Sequence, residues 1–178
     1  VTVVEFMPKM LPLSDDEVSK TLERSFRKMR ATVLTSTSVK SVKIEDEKCL
    51  VEIEGKKGTE VITADVVLSA VGIKSNIENL GLEAAGVEVE RDKVKVDEQF
   101  RTTAEGVYAI GDLVASPALA HVATAEALAC VEAICTGEPR TVDYQTIPSC
   151  VYTVPEVAMV GMTEEQASFD GNCTITVN

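Results

Sequence analysis

The segment TTAEGVYAIGD, residues 102–112, is the strongest indication of fold in this chain. The apolar run at residues 107–110 predicts a short buried strand that ends at Gly111 and Asp112. Ligands of open α/β sheets bind at the carboxyl ends of the strands. Gly111 has no side chain, so a ligand can approach its backbone closely. The Asp112 carboxylate can accept hydrogen bonds from sugar or polyol hydroxyls, and the segment therefore predicts a ligand site at the edge of a sheet.

The first 35 residues have the pattern of a strand, a helix and a second strand. The β-branched run at residues 1–5 is typical of a buried parallel strand. Residues 14–17, SDDE, have capping-box spacing, and the apolar residues after them recur at helical intervals. These features predict a helix over residues 15–29 and a second strand at residues 32–35. A strand–helix–strand order predicts a parallel sheet.

Between residues 39 and 64 the apolar period changes to two. Strands at residues 39–43, 50–54 and 59–63, with turns at residues 45–48 and 55–58, predict an antiparallel meander inserted in the parallel unit. The continuous apolar run at residues 66–71 predicts a further buried strand that ends at Gly72.

The second half of the chain combines a polar connection, a long helix and a change of character near residue 140. Residues 75–101 predict the connection, with a short helix near residues 77–80. Residues 118–136 predict the long helix, with Gly137 as its C′ residue. Two strands around Pro155 within residues 147–161, a short helix from residue 163 and a final strand at residues 173–177 follow. A domain boundary is expected at residues 140–146.

The composition is that of a soluble globular protein: 178 residues, 45% hydrophobic and 26% charged. The formal net charge of −12 argues against a nucleic-acid partner, because binding phosphate requires a basic surface. No apolar run approaches the roughly 20 residues of a membrane span, so no membrane association is expected.

The start of the chain and its cysteines indicate the expected cellular location of the protein. The chain opens as VTVVEF, without Met and without the basic flank of a signal peptide. Because it begins inside a predicted strand, we expect it to be part of a longer protein. Its five cysteines lack paired metal-ligand spacing, which is typical of a reducing compartment. The expected location is the cytoplasm, or the mitochondrial matrix in a eukaryote.

Glu5 closes the first predicted strand. In a dinucleotide-binding fold, an acidic residue at this position accepts hydrogen bonds from the ribose hydroxyls of the adenosine half. Phe6 and Met7 follow Glu5, where Arg or Lys would suit a 2′-phosphate, so NAD is favoured over NADP. The alternative interpretation of Glu5 is an ordinary solvated glutamate. The glycine-rich phosphate loop would lie about 20 residues before Glu5, ahead of the first residue.

Five segments, taken in order, resemble the pyridine-nucleotide-disulfide oxidoreductase family. The third is similar to its second flavin-binding motif, T-x6-A-[IV]-G-D. The segments are VTVVEF (1–6), VLSAVGIKSNIENLGLE (67–83), TTAEGVYAIGD (102–112), ALAH (118–121) and IPSCVYTVPEVAMVG (147–161).

The resemblance implies an α/β fold with partial Rossmann-like FAD- and NAD(P)-binding domains, an inserted antiparallel β-meander and the start of an α+β dimerisation domain. The implied bounds are 1–78 for the later part of the NAD domain, 79–143 for the returning FAD segment and 144–178 for the interface domain. The cofactors would be FAD and NAD, and the intact protein would be a homodimer.

The same resemblance assigns cofactor contacts but no catalytic residue and no metal ligand to this chain. The N-terminus of the long helix predicted at residues 118–136 would stabilise negative charge on the reduced flavin ring. His121, although the only histidine, is interpreted as a backbone contact with flavin. The implied NAD contacts are Glu5, Val39 and Gly72, and the implied FAD contacts are Gly111, Asp112, Ala118, Leu119, Ala120 and His121.

The implied activity is electron transfer from dihydrolipoamide, through a redox disulfide and flavin, to NAD. The chain departs from the family pattern because it lacks the first FAD fingerprint, the redox disulfide, the NAD glycine loop and the catalytic His–Glu pair. The chain alone is therefore expected to be inactive. The alternatives are another disulfide reductase of the family and a non-catalytic nucleotide-binding module.

Cys130 and Cys135 have the C-x4-C spacing of the family's redox pair. On a helix this spacing separates the side chains by roughly 140° and the Cα atoms by about 8–9 Å, too far for a disulfide. We interpret both as packing residues and expect Cys150 to be buried in its strand. The first predicted helix lacks the expected terminal glycine at Arg30, so its end is expected to differ from the family pattern.

Overall fold

The structure, a computed structural model, describes residues 1–169. The strand predicted at residues 173–177, with Cys173, lies outside these residues. The chain divides into two compact units, residues 1–70 with the segment from Pro148 onward, and Val71–Ile147. We call these the first and second units. The family-derived bounds of 1–78, 79–143 and 144–178 stay a prediction.

The first unit begins with the predicted parallel arrangement. Strand β1 (Thr2–Val4), helix α1 (Asp16–Lys28) and strand β2 (Thr32–Leu34) follow in order. β1 and β2 pair in parallel, with Val3 opposite Val33. The inner face of α1 buries Ser19 and Leu22. The strand–helix–strand prediction is confirmed.

The predicted capping box at the start of α1 is not formed. The N-cap is Asp15, and no side chain caps the helix. The Ser14 hydroxyl instead donates to the carbonyl oxygen of Leu11 at 2.9 Å. Asp15 Oδ1 accepts from the backbone N–H of Glu164 at 2.7 Å. Both polar side chains have other partners, one in the preceding loop and one in a distant segment of the same unit.

The end of α1 is regular although it lacks glycine. Arg30 adopts φ of +63°, and its N–H donates to the carbonyl oxygen of Arg27 at 3.0 Å. The N–H of Ala31 donates to the carbonyl oxygen of Phe26 at 3.0 Å. This pair of bonds is a Schellman motif, with arginine in the left-handed position that glycine usually occupies. The backbone makes the bonds of this motif with Arg30 in place of glycine, and a difference from the helix end of the family stays a prediction.

Replacing that arginine by glycine is expected to stabilise the protein. Arg30→Gly removes the steric cost of a left-handed residue and adds some unfolded-chain entropy, for a net gain of about 1 kcal/mol. The measurement is the midpoint of urea unfolding. The matched control is Gly137→Arg at the end of the second long helix, where φ is +74°, and it should cost a similar amount. A loss of stability in Arg30→Gly would contradict the assignment.

The antiparallel meander is confirmed. Its strands are β3 (Ser38–Glu45), β4 (Lys48–Gly55) and β5 (Gly58–Ala64), with β4 in the centre. Alternate residues of the central strand, Val51 and Ile53, are buried, as a sheet with one covered face requires. The pairing of β3 with β4 shifts register between Val39 and Ser41.

The strand predicted at residues 66–71 is not formed. Leu68 is 89% exposed and Val71 is 92% exposed. The parallel sheet described for residues 1–169 contains β1 and β2. A parallel strand is stable only where a neighbouring strand supplies backbone hydrogen bonds, and this segment pairs with none of the described strands.

In the second unit, the polar connection contains a hairpin that was not predicted from the sequence. Strands β6 (Val89–Glu90) and β7 (Lys93–Val94) pair antiparallel. The helix predicted near residues 77–80 is a turn instead. Apolar residues before, within and after the hairpin are buried: Val87, Val94, Phe100 and Val114.

The buried strand predicted at residues 107–112 is also wrong. Val107 is 38% exposed, and Tyr108 forms an isolated bridge with Arg101. The N–H of Ala109 donates to the carbonyl oxygen of Phe100 at 3.0 Å. The run therefore folds back on the segment just before it instead of joining a sheet. Gly111–Leu113 then form a single 3₁₀ turn.

The long helix and the last elements agree with the sequence pattern. Helix α2 (Ala120–Thr136) begins two residues after its predicted start, and Gly137 follows it at φ of +74°. Strands β8 (Ser149–Val151) and β9 (Val157–Met159) pair antiparallel, and helix α3 (Glu164–Phe169) follows. None of the helices within residues 1–169 is long and apolar enough to cross a bilayer.

The cysteines were only partly anticipated. Cys130 is buried, as expected of a packing residue, and forms no disulfide with another described cysteine. Cys135 likewise forms none within residues 1–169, but it is exposed, since it lies off the buried stripe of α2. Cys150 is exposed instead of buried. It lies opposite Ala158 in a ribbon of two strands, and both residues belong to the uncovered face of that ribbon.

Candidate functional site

Glu5 lies directly after β1 in the first unit, and its backbone is held on both sides. Its N–H donates to the carbonyl oxygen of Leu34 at 2.8 Å, and its carbonyl oxygen accepts from the N–H of Thr37 at 3.0 Å. Its carboxylate Oε1 accepts from the N–H of Met7 at 2.6 Å. The side chain is half-buried. One carboxylate oxygen thus orders the following loop, and Oε2 remains able to accept hydrogen bonds from a ribose.

Val39 lies two residues after the point where its segment is hydrogen-bonded to Glu5. Thr37, whose N–H bonds to Glu5, comes two residues before Val39 and is buried. Val39 itself is 47% exposed and lies next to the register shift of β3. The structure therefore connects Glu5 and Val39 through one ordered segment. Gly72 belongs to the second unit, where it has φ of +111° and open space around it.

Gly111 is buried at the start of the 3₁₀ turn, and two features require glycine there. Its φ is +69°, in the left-handed region. A Cβ at this position would lie 3.2 Å from the Cβ of Ala123 on α2. The N–H of Gly111 donates to Glu126 Oε2 at 2.6 Å. The turn is thus packed and hydrogen-bonded directly against α2.

Asp112 has a fixed backbone and an available side chain. Its carbonyl oxygen accepts from the Ser75 hydroxyl at 2.6 Å and from Lys93 Nζ at 2.8 Å. Lys93 Nζ also donates to the Ser75 hydroxyl at 2.8 Å. The Asp112 carboxylate is exposed and has no hydrogen-bond partner among residues 1–169. This arrangement is suited to accepting hydrogen bonds from the hydroxyls of a ligand.

The predicted flavin-facing segment forms the start of α2. Leu119 is the N-cap residue, and no side chain caps this end. Ala118, Ala120 and His121 are exposed, and Leu119 is half-buried. The first turn of α2 contains no acidic residue. The partial positive charge of a helix N-terminus is therefore not offset by a carboxylate of that turn.

Glu126, whose side chain is fully buried, was not predicted from the sequence. Besides Gly111, it binds Tyr144, whose hydroxyl donates to Glu126 Oε1 at 2.8 Å. Burial, the hydrogen bond and the charge of Glu126 raise the pKa of Tyr144 to about 12. The available signal was spacing: Val122, Glu126 and Cys130 lie four residues apart, and all three are buried. A single carboxylate in an apolar helical stripe indicates a specific partner.

The second unit also has a cleft of about 990 Å³, lined in part by Lys93, Val114, Ser116 and Tyr144. The Ser116 hydroxyl is buried there and has no hydrogen-bond partner among the residues that the structure describes. None of the residues predicted to contact a cofactor lines this cleft. The candidate site is therefore an exposed turn and helix end. Within residues 1–169 no group of His, Cys, Asp or Glu side chains is arranged to hold a metal ion.

The fold and these sites define a class of protein. The model of the family "pyridine nucleotide-disulphide oxidoreductase" matches residues 1–127, and the chain belongs to this family. The resemblance and the α/β class expected from the sequence are thereby confirmed. Members of the family use FAD and NAD. Which residues of this chain touch either cofactor stays a prediction.

Individual proteins to which the chain is similar belong to a narrower group than the family as a whole. A dihydrolipoyl dehydrogenase of Chlorobaculum tepidum is 44% identical over 94% of this chain and 36% of its own length. One of Mycobacterium leprae is 38% identical over 99% of this chain and 38% of its own length. The crystal structure of LpdA from Mycobacterium tuberculosis matches with a TM-score of 0.84 at 28% identity, over 96% of this chain and 37% of that chain. The chain thus spans little more than a third of these relatives.

Proposed function

We propose that this chain is part of a dihydrolipoamide dehydrogenase, and that it supplies contacts to both cofactors. The whole enzyme would pass electrons from dihydrolipoamide, through a redox disulfide and FAD, to NAD. Curated relatives named dihydrolipoyl dehydrogenase, with 38–45% identity over nearly the whole chain, support this assignment. The protein's part is to bind and orient, since the cofactors supply the redox chemistry.

The observation that carries the proposal is the Gly111–Asp112 turn. Its backbone is held by Glu126, Ser75 and Lys93, and its carboxylate is left available. In the proposed role Asp112 accepts hydrogen bonds from the ribityl part of FAD. The start of α2, residues 118–121, faces the pyrimidine side of the flavin ring, where its positive end stabilises charge on the reduced form.

The NAD contacts are proposed for Glu5, Val39 and Gly72. Glu5 accepts the ribose hydroxyls of the adenosine half with its available carboxylate oxygen. The exposed side chain of Val39 packs against the nucleotide. Gly72 allows close approach to the backbone, because no described atom lies within 4 Å of a would-be Cβ there.

The proposed partners follow from the same assignment. The substrate would be dihydrolipoamide carried on a 2-oxoacid dehydrogenase complex or on the glycine cleavage protein, and the enzyme would be a homodimer. We place it in the cytoplasm, or in the mitochondrial matrix if the source is eukaryotic. The net charge of −12 fits these partners better than it fits nucleic acid.

The test is turnover by the full-length protein that carries this chain. We expect rapid NAD reduction with dihydrolipoamide, none with glutathione, and much slower reduction of NADP because Glu5 has no adjacent cation. The separate 178-residue chain should show no turnover. Reduction with glutathione alone would favour another disulfide reductase of the family. Absence of turnover with either thiol would favour a non-catalytic nucleotide-binding module.

A further inference from the structure

Glu126 stands out because a fully buried carboxylate is costly unless its oxygens are satisfied. Here both oxygens accept hydrogen bonds from neutral donors. Oε2 accepts from the N–H of Gly111 at 2.6 Å, and Oε1 accepts from the Tyr144 hydroxyl at 2.8 Å. The carboxylate therefore fixes one particular peptide group, the one between Ile110 and Gly111, at the start of the turn that contains Asp112.

The other side of the same turn is fixed independently. The carbonyl oxygen of Asp112 accepts from Ser75 and Lys93. The turn is thus held at the N–H of Gly111 and at the C=O of Asp112. With both ends fixed and φ of Gly111 at +69°, the direction in which the Asp112 side chain leaves the backbone is set. Loss of either anchor frees that direction.

We propose that Glu126 is a positioning residue for flavin: through the N–H of Gly111, and supported by Tyr144, it sets the orientation of the Asp112 carboxylate. This inference rests on the proposed function, because it assigns Asp112 to FAD. Glu126 does not itself touch the cofactor. The role of Glu126 depends on the length of its side chain (its reach) more than on its charge, because the carboxylate must span the distance from α2 to the turn.

The experiment measures the Kd of FAD for apo-protein prepared from the full-length protein, by titration of flavin fluorescence, together with the thermal midpoint. Glu126→Ala leaves the N–H of Gly111 buried and unpaired, and should raise Kd about 10–100-fold. Glu126→Gln keeps the reach: its oxygen can accept from Gly111 while its amide donates to Tyr144. It should stay within about fivefold of the wild type.

Glu126→Asp separates reach from charge, and it serves even if the alanine variant does not fold. It keeps the charge but is one methylene shorter, so it should bind FAD about tenfold more weakly than Glu126→Gln. Val122→Ala is the matched control, because Val122 is equally buried on the same stripe of α2. It should lower the thermal midpoint and leave Kd within about twofold of the wild type.

The outcomes are distinct. Tighter FAD binding by Glu126→Asp than by Glu126→Gln, or equal weakening by Val122→Ala and Glu126→Ala, would overturn the positioning role and leave the proposed function intact. Wild-type protein that binds no FAD would overturn the proposed function, and the inference with it.

Discussion

Gly111→Ala is expected to lower the free energy of unfolding by about 2–5 kcal/mol. Two costs add. A non-glycine residue at φ of +69° costs about 1–2 kcal/mol. The new methyl group would lie 3.2 Å from the Cβ of Ala123, and overpacking of this kind costs about 1–3 kcal/mol. The measurement is urea unfolding followed by circular dichroism.

The matched control for this variant is Gly106→Ala. Gly106 has φ of +75°, and no atom lies within 4 Å of its would-be Cβ. It therefore carries the backbone cost alone, about 1–2 kcal/mol. Equal losses in the two variants would show that the contact with Ala123 contributes nothing. A double variant with Ala123→Gly should recover the overpacking part, which a double-mutant cycle isolates from the helix cost of glycine.

Ile53→Ala is expected to cost about 2–5 kcal/mol, because it removes buried methylenes and leaves a cavity. Ile53 lies in the central strand of the meander and is 1% exposed. Ile44 is an isoleucine of the neighbouring strand that is 79% exposed. The change Ile44→Ala therefore deletes the same atoms and should cost less than about 1 kcal/mol. Both are measured by the shift in the urea midpoint.

A comparable cost for the two isoleucine variants would contradict the assignment of a single covered face to the meander. A cost below about 1 kcal/mol for Ile53→Ala would mean that the site collapses around the smaller side chain. Thermal unfolding, followed by circular dichroism at the wavelength of the β-strand signal, measures the difference in stability between the two variants independently.

The residues of the candidate site were proposed from the sequence, but the residues that hold its backbone in place were not. Gly111 and Asp112 were proposed from a short motif, with glycine explained by close approach of a ligand, and the structure adds two further reasons for glycine: its left-handed φ and its contact with Ala123. Glu126 was missed because nothing local ties it to Gly111, which lies 15 residues earlier in the chain. Likewise, Ser75 and Lys93 are distant in sequence from Asp112 and meet it only through tertiary folding.

Sequence alone determined the elements whose stability is local or whose partner is adjacent. Helix α1 follows from apolar residues at helical intervals, and the end of α2 follows from Gly137. The meander follows from its period of two, because each strand pairs with the next across a short turn. In such elements the backbone hydrogen-bond partners come from the same segment or from the next one along the chain.

Tertiary structure decided the elements that depend on a distant neighbour. Residues 66–71 and 107–110 have the composition of buried strands, yet neither is one, because an apolar run becomes a strand only where another strand supplies its backbone partners. The face on which Cys150 lies was decided in the same way, by what covers the ribbon of β8 and β9. Side-chain pattern reports what a segment can bury, and only the folded chain determines whether a partner is there to bury it.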